Sequence, residues 1–311
     1  MASVVSLSCT LLTVAAAELW LRTRYPVFQI IHRLDDRYLY EHIPGSQKLV
    51  LRARENGGGT VLVEINAQGR RGDESSTDPG DLRIAVYGDS FVAAEGTALD
   101  ETFVKRLEAD LDSSTRRRVR VLNAGVTGYG PDQVSLRLED ELSALSPQLV
   151  IVALNAGNDY GDLMRNKIYR LSQQGGLVFN HYVIAPNLRE QFRHTQEGWA
   201  RFHVLRLLRN TYRTLSARLR APWSPQKSVI DRVETWRKER AAEYRRHVLD
   251  QDPAVRNLFG DDIDVDISAE PESDSARYKV ALMDELVRRI GSIAAGRGVP
   301  LLLVLIPNPM D

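Results

Sequence analysis

One cysteine in 311 residues, Cys9, leaves no partner for an intrachain disulfide and no thiolate set for a metal. A prevailing charge is missing too. The 41 lysines and arginines balance 41 aspartates and glutamates, so no overall field draws the chain to nucleic acid or to an anionic surface. The acidic stretch "GDDIDVDISAEPESD", 260–274, alternates carboxylates but lacks the central glycine and terminal glutamate of a calcium loop. It reads as a solvated loop, as does "RRR" at 116–118. What is there is a globular composition, 43% hydrophobic, sufficient for one large domain or two small ones.

The N-terminus differs from the rest. Fifteen uncharged residues, Ser3 to Ala17, precede Glu18, and Leu19-Trp20-Leu21 is followed by Arg22 and Arg24. A spanning helix needs about 20 apolar residues, so residues 1–24 suit a single-pass transmembrane anchor with Trp20 and the arginines at one interface. A core helix is the alternative. A cleaved signal peptide fits poorly, because no basic residue precedes the apolar stretch and no Ala-x-Ala site follows it. "SLSC" has too short a leader for a lipoprotein site. On charge alone, the basic flank argues for a cytoplasmic domain.

Residues 25–60, with Pro26, Pro44, Gly45 and Gly57-Gly58-Gly59, read as a connector with short strands, and a compact domain is expected over 61–311. Within it, strands at Ile84–Tyr87, Val119–Leu122 and Leu149–Leu154 alternate with helices bearing Phe103, Leu107 and Leu111, then Val134, Leu138, Leu142 and Leu145. Strands apolar at nearly every position, separated by amphipathic helices, predict a three-layer α/β fold on a doubly wound parallel sheet, flavodoxin-like in outline. Ligand chemistry is then expected at the carboxyl ends of the strands. Residues 165–270 break the rhythm and read as a helical insertion or lid, with a charged helix over Val229–Leu249. A helix over Tyr278–Ala295 and the buried strand "VPLLLVLIP" complete the pattern.

Three strand ends carry small polar signatures: "GDS" at 88–90, "NAGVTGYG" at 123–130 and "NAGND" at 155–159. A serine at a strand-to-helix turn gains a tight turn from Gly88 and unpaired N–H groups from the helix start. Gly125 lets its N–H approach the same point, and the Asn158 amide offers a further donor. In this order the blocks resemble the SGNH hydrolase superfamily, the GDSL esterases and lipases. The resemblance implies that Ser90 is the nucleophile; that the Ser90 N–H, Gly125 N–H and Asn158 side chain form the oxyanion hole; and that Gly88, Asp89 and Asp159 support them. "INAQGRRGDE", 65–74, is similar to the N-x-x-G-x-R-G lead-in of the bacterial, membrane-anchored branch, which implies an extracytoplasmic catalytic domain.

A serine hydroxyl needs a base, and the family supplies His with its orienting Asp in an Asp-x-x-His block after the last core strand. No such block occurs at that place, so the catalytic Asp and His are left unassigned. The six histidines, His32, His42, His181, His194, His203 and His247, all lie upstream and read as surface or lid residues. Two readings follow. The chain is an incomplete copy of a serine esterase acting on an O-acyl group of a sugar, lipid or similar ester, inactive as it stands. Alternatively it is a noncatalytic membrane-anchored binding or scaffold protein, or an O-acyltransferase on the same fold. No cofactor, metal or nucleic acid is implied; the partners are a small-molecule, glycan or lipid ester and the membrane.

Overall fold

The computed structural model describes residues 2–24, 31–52, 57–76, 78–196, 202–205, 207–208, 212, 229–255 and 265–307. Helix α1 (Ala2–Arg24) opens the chain, and within it Val5–Thr23 is long and apolar enough to cross a membrane. Two antiparallel hairpins follow, β1 (His32–Asp35) with β2 (Leu39–His42) and β3 (Gln47–Leu51) with β4 (Thr60–Glu64). The short strands expected in the segment up to residue 60 are thus β1, β2, β3 and the start of β4. Gln47 pairs with Glu64 across the boundary drawn at 61, because Val61, Val63 and Ile65 bury against Ile31.

The main sheet is built from β5 (Leu82–Tyr87), β6 (Val119–Asn123), β7 (Leu149–Asn155) and β12 (Leu301–Ile306), all parallel, in the order β12-β7-β5-β6. Between them run α2 (Ser90–Ala93), α3 (Phe103–Ser114), α4 (Pro131–Leu145) and α5 (Asp159–Asn166). Local chemistry starts these helices where the sequence expects them. Thr102 Oγ1 accepts the Lys105 N–H at the start of α3, and Pro131 occupies the first turn of α4 while Gln133 Oε1 accepts the Gly130 N–H. One sheet face packs Val150, Val152 and Leu154 on Val134, Leu138 and Leu142 of α4; the other packs Ile84, Val86, Ile151 and Ala153 on Val92 and Val104. Helices on both faces explain why the strands lack polar alternation.

The insertion holds the hairpin β8 (Tyr169–Leu171) and β9 (Leu177–Phe179), then β10 (Val183–Ile184), α6 (Pro186–Gln196), α7 (Val229–Tyr244), a π-helical turn at Arg245–Leu249, β11 (Ala254–Val255) and α8 (Val265–Ala269). Its described part shares a core with the sheet domain. Tyr169, Ile184, Leu188 and Val255 bury with Tyr40, Leu136, Leu163 and with Leu282 and Leu286 of α9 (Asp274–Gly296). The expectation of a solvated acidic loop is corrected over its C-terminal part. Asp266 is buried, and its carboxylate accepts hydrogen bonds from Lys279 Nζ at 2.9 and 3.0 Å and from Ser275 Oγ at 2.9 Å, because α8 turns it inward against α9. Residues 260–264 of that loop lie outside the described residues.

At the outer edge, β12 is poorly covered. Leu302, Leu303, Val304 and Leu305 are all exposed, Leu305 at 73%. Only its ends are packed, Leu301 on the α4 side and Ile306 on the opposite face.

Candidate active site

The chain runs from β5 outward to β6 and returns past β5 to β7, so the strand order reverses at β5 and a crevice opens at its carboxyl end. Ile84 through Asp89 are buried, and Ser90, the first residue of α2, is the first exposed one. Gly88 makes that turn possible. A Cβ there would lie 2.6 Å from Val92 Cγ2 and 3.0 Å from the Ala153 carbonyl oxygen. Asp89 caps α2: Oδ1 accepts the Phe91 N–H at 2.9 Å, and Oδ2 accepts from Asn155 Nδ2 at 3.2 Å. Burial pushes its carboxyl above the usual range, against the pull of these hydrogen bonds.

The second block lies directly on this turn. Ala124 N–H donates to the Val86 carbonyl and Val126 N–H to the Gly88 carbonyl, which runs the loop alongside β5. A Cβ on Gly125 would meet the Ala93 nitrogen at 2.5 Å and Val92 Cβ at 2.6 Å, so only glycine fits. Asn123 bridges the two blocks, Nδ2 donating to the Val92 carbonyl at 2.8 Å and Oδ1 accepting the Gly125 N–H at 3.0 Å. The third block meets the same place. The Asn158 side chain lies against Asp89 and donates from Nδ2 to Asp162 Oδ2 at 3.2 Å. Buried Asp159 shapes its loop by accepting the Asn155 N–H at 2.7 Å. Ser90, Gly125 and Asn158 therefore stand on three segments that all touch the turn into α2. The Gly125 N–H and the Asn158 amide each already serve a side-chain acceptor.

The lead-in at 65–74 buttresses the far end of α2. Asn66 Oδ1 accepts the N–H groups of Gln68 and Arg70, closing a turn in which Gly69 holds φ at +75°. This aims buried Arg71 at the carboxyl end of α2, where Nη1 donates to the Ala93 carbonyl at 2.8 Å and also to Ala94, and Nη2 to Thr97 at 2.5 Å. A guanidinium there satisfies carbonyls that a four-residue helix leaves open. Sequence reasoning missed the bridging roles of Asn123 and Asn155. Their signal was position, each the last residue of its strand.

Three of the histidines are more buried than the expected surface or lid position implies. His32, His42 and His247 are buried, not surface residues, because β1 pairs with β2 and the insertion folds onto α9. His181 packs against Phe179, His203 sits beside Glu18, and the His194 side chain lies outside the described residues. Among the described residues, no histidine is hydrogen-bonded to Ser90.

A serine at a strand-to-helix turn, on the open rim of a parallel α/β sheet, is the layout of an acylhydrolase scaffold. The chain belongs to the GDSL-like lipase/acylhydrolase family, whose model matches residues 86–269. Among solved structures it is similar to AlinE4, an SGNH-hydrolase family esterase, with 32% identity over 24% of this chain and 40% of that one, at a TM-score of 0.22. The chain thus spans well under two thirds of that esterase. It is also similar to TesA, with 17% identity over 70% of this chain and 76% of that one, at a TM-score of 0.26. A third is a catalytic mutant of Axe2, an acetylxylan esterase from Geobacillus stearothermophilus, with 12% identity over 70% and 74% of the two chains, at a TM-score of 0.23. No curated protein matches the chain.

Proposed function

We propose that this chain carries the nucleophile and oxyanion half of a serine esterase acting on an O-acyl group, with the general base entering after β12. The observation that carries the reading is the meeting of the three polar blocks at the turn into α2, with Ser90 exposed at its start. In this mechanism Ser90 Oγ attacks the ester carbonyl as the base takes its proton. The tetrahedral oxyanion draws on the Ser90 N–H, the Gly125 N–H and Asn158 Nδ2, the last two turning from acceptors now held at 3.0 and 3.2 Å. The alcohol leaves with the proton, and water, deprotonated by the same base, hydrolyses the acyl-serine.

The register of β12 favours a base from that side. Ile306 pairs with Asn155, and its carbonyl accepts the Ala156 N–H at 2.9 Å. β12 therefore ends on the rim that carries Asn158.

In a chain extended past Asp311 along its own reading frame, Asn158→Ala is expected to lower kcat for p-nitrophenyl acetate about 10²- to 10³-fold with little change in KM. An unchanged kcat removes Asn158 from the oxyanion hole.

We further propose that α1 anchors the domain to a membrane as a single pass, with the catalytic domain on the extracytoplasmic side. The full chain is expected in the membrane pellet and a chain starting at Tyr25 in the supernatant. Full-length protein that stays soluble without detergent contradicts the anchor.

A further inference from the structure

His32 and His42 are directly paired across β1 and β2, so their side chains leave the same face of the hairpin. Their rings stand 4.8 Å apart, inclined by 32°. His42 is 3% exposed, and its Nδ1 faces the Gly69 carbonyl oxygen at 3.3 Å. With Nδ1–H donating to that carbonyl, Nε2 on the opposite side of the ring keeps its lone pair, and Nε2 is buried with no hydrogen-bond partner. A ring nitrogen fixed by a backbone carbonyl, with the other nitrogen free to donate electrons, is the usual preparation of a metal-ligating histidine. Glu95, just past α2, brings a carboxylate. One ligand atom from each of His32, His42 and Glu95 lies within 4.8 Å of the others.

From this geometry we infer that His32, His42 and Glu95 form a binding site for a divalent transition cation of the zinc type, with water completing the coordination. Two imidazoles and one carboxylate are a ligand set zinc accepts, at about 2.0–2.2 Å per bond. Ligand atoms around such an ion stand roughly 3.4 Å apart. Side-chain rotations must therefore draw the present cluster in by an ångström or more. The protonation states are already suitable. Burial holds His32 down to about 4 and His42 down to about 3, so both rings are neutral at pH 7. Burial pushes Glu95 up, but the Lys48 ammonium, the Thr127 hydroxyl and His32 together hold the carboxyl below its usual value.

Lys48 Nζ occupies Glu95 Oε2 at 2.7 Å, while Thr127 Oγ1 donates to Oε1 at 2.7 Å. Lys48 is a cation that already competes for one of the proposed ligands. Its side chain is 39% exposed and can withdraw into water. The bound metal would tie the β1–β2 hairpin to the segment after α2 and, through Thr127, to the loop that carries Gly125. It is a staple on the nucleophile turn and takes no part in the acyl chemistry, so its test is independent of esterase activity.

Tag-free protein, dialysed against zinc and then against metal-free buffer, is expected to retain one zinc per chain by elemental analysis. With cobalt(II) it is expected to develop visible absorption bands of low-coordinate cobalt. Glu95→Gln, which preserves the Thr127 contact, is expected to lose both signals, and His42→Gln likewise. Lys48→Met is expected to bind cobalt at least tenfold more tightly than the parent chain, because the competing ammonium is gone. Failure of the parent and of Lys48→Met to retain either metal overturns the proposal. Retention that Glu95→Gln and His42→Gln leave unchanged, with both variants folded by circular dichroism, also overturns it.

Discussion

The 311-residue chain is expected to hydrolyse p-nitrophenyl acetate at no more than a residual rate. Among the described residues no histidine serves Ser90, and its hydroxyl keeps its proton at neutral pH. What remains without the base is stabilisation of the oxyanion and binding, on the order of 10³ to 10⁴ over water. A chain extended past Asp311 through an Asp-x-x-His is expected to exceed that by about another 10²-fold or more, and Ser90→Ala in it to return to the residual rate. Rapid turnover by the 311-residue chain would place the base upstream. Single substitutions of His181, His194, His203 and His247 would then identify it.

Acid is expected to begin destabilising the protein from about pH 6.5 downward, before its carboxylates protonate. Burial lowers His32 to about 4, His42 to about 3 and His247 to about 4. Each is depressed below its unfolded value of about 6.5, so each contributes stability that is full above that pH and is lost as pH falls towards the folded value. At pH 4 the loss is on the order of 3 kcal/mol per ring relative to pH 7, with His32 and His42 acting as a pair. Asp132 opposes this. Burial raises its carboxyl to about 7, and a raised acid gains stability as pH falls from 7 to 4, which offsets roughly one histidine. His247→Phe isolates one contribution, since this ring packs edge-on against Tyr278 near Lys167, Glu243 and Arg170. Urea titrations at pH 7 and pH 4 are expected to show about 3 kcal/mol less acid destabilisation in the variant. Equal pH dependence in both proteins contradicts the assignment.

The parallel sheet was legible because its strands are apolar at consecutive positions and its helices are not, a contrast that survives without any knowledge of pairing. The three blocks were legible because each follows such a strand. What could not be read was whatever depends on long-range closure. His32 and His42 look like surface residues until the hairpin register sets them side by side and Gly69 closes over one of them. Asp266 looks solvated until α8 carries it to Lys279. The pairing of β3 with β4 crosses a glycine-rich stretch that reads locally as a break. At the site itself, the need for glycine at 88 and 125 was visible as motif. Its cause, the approach of Val92, Ala93 and Ala153 to within 3 Å of a would-be Cβ, belongs to tertiary structure.

The central claim, that Ser90 is the acylated residue and that its base arrives after β12, is tested most directly by fluorophosphonate labelling with peptide mapping. In the chain extended through an Asp-x-x-His, the account predicts one adduct on the peptide containing Ser90, absent from Ser90→Ala and formed slowly or not at all in the 311-residue chain. An adduct on any other residue, or equally fast labelling of Ser90 in the 311-residue chain, contradicts it.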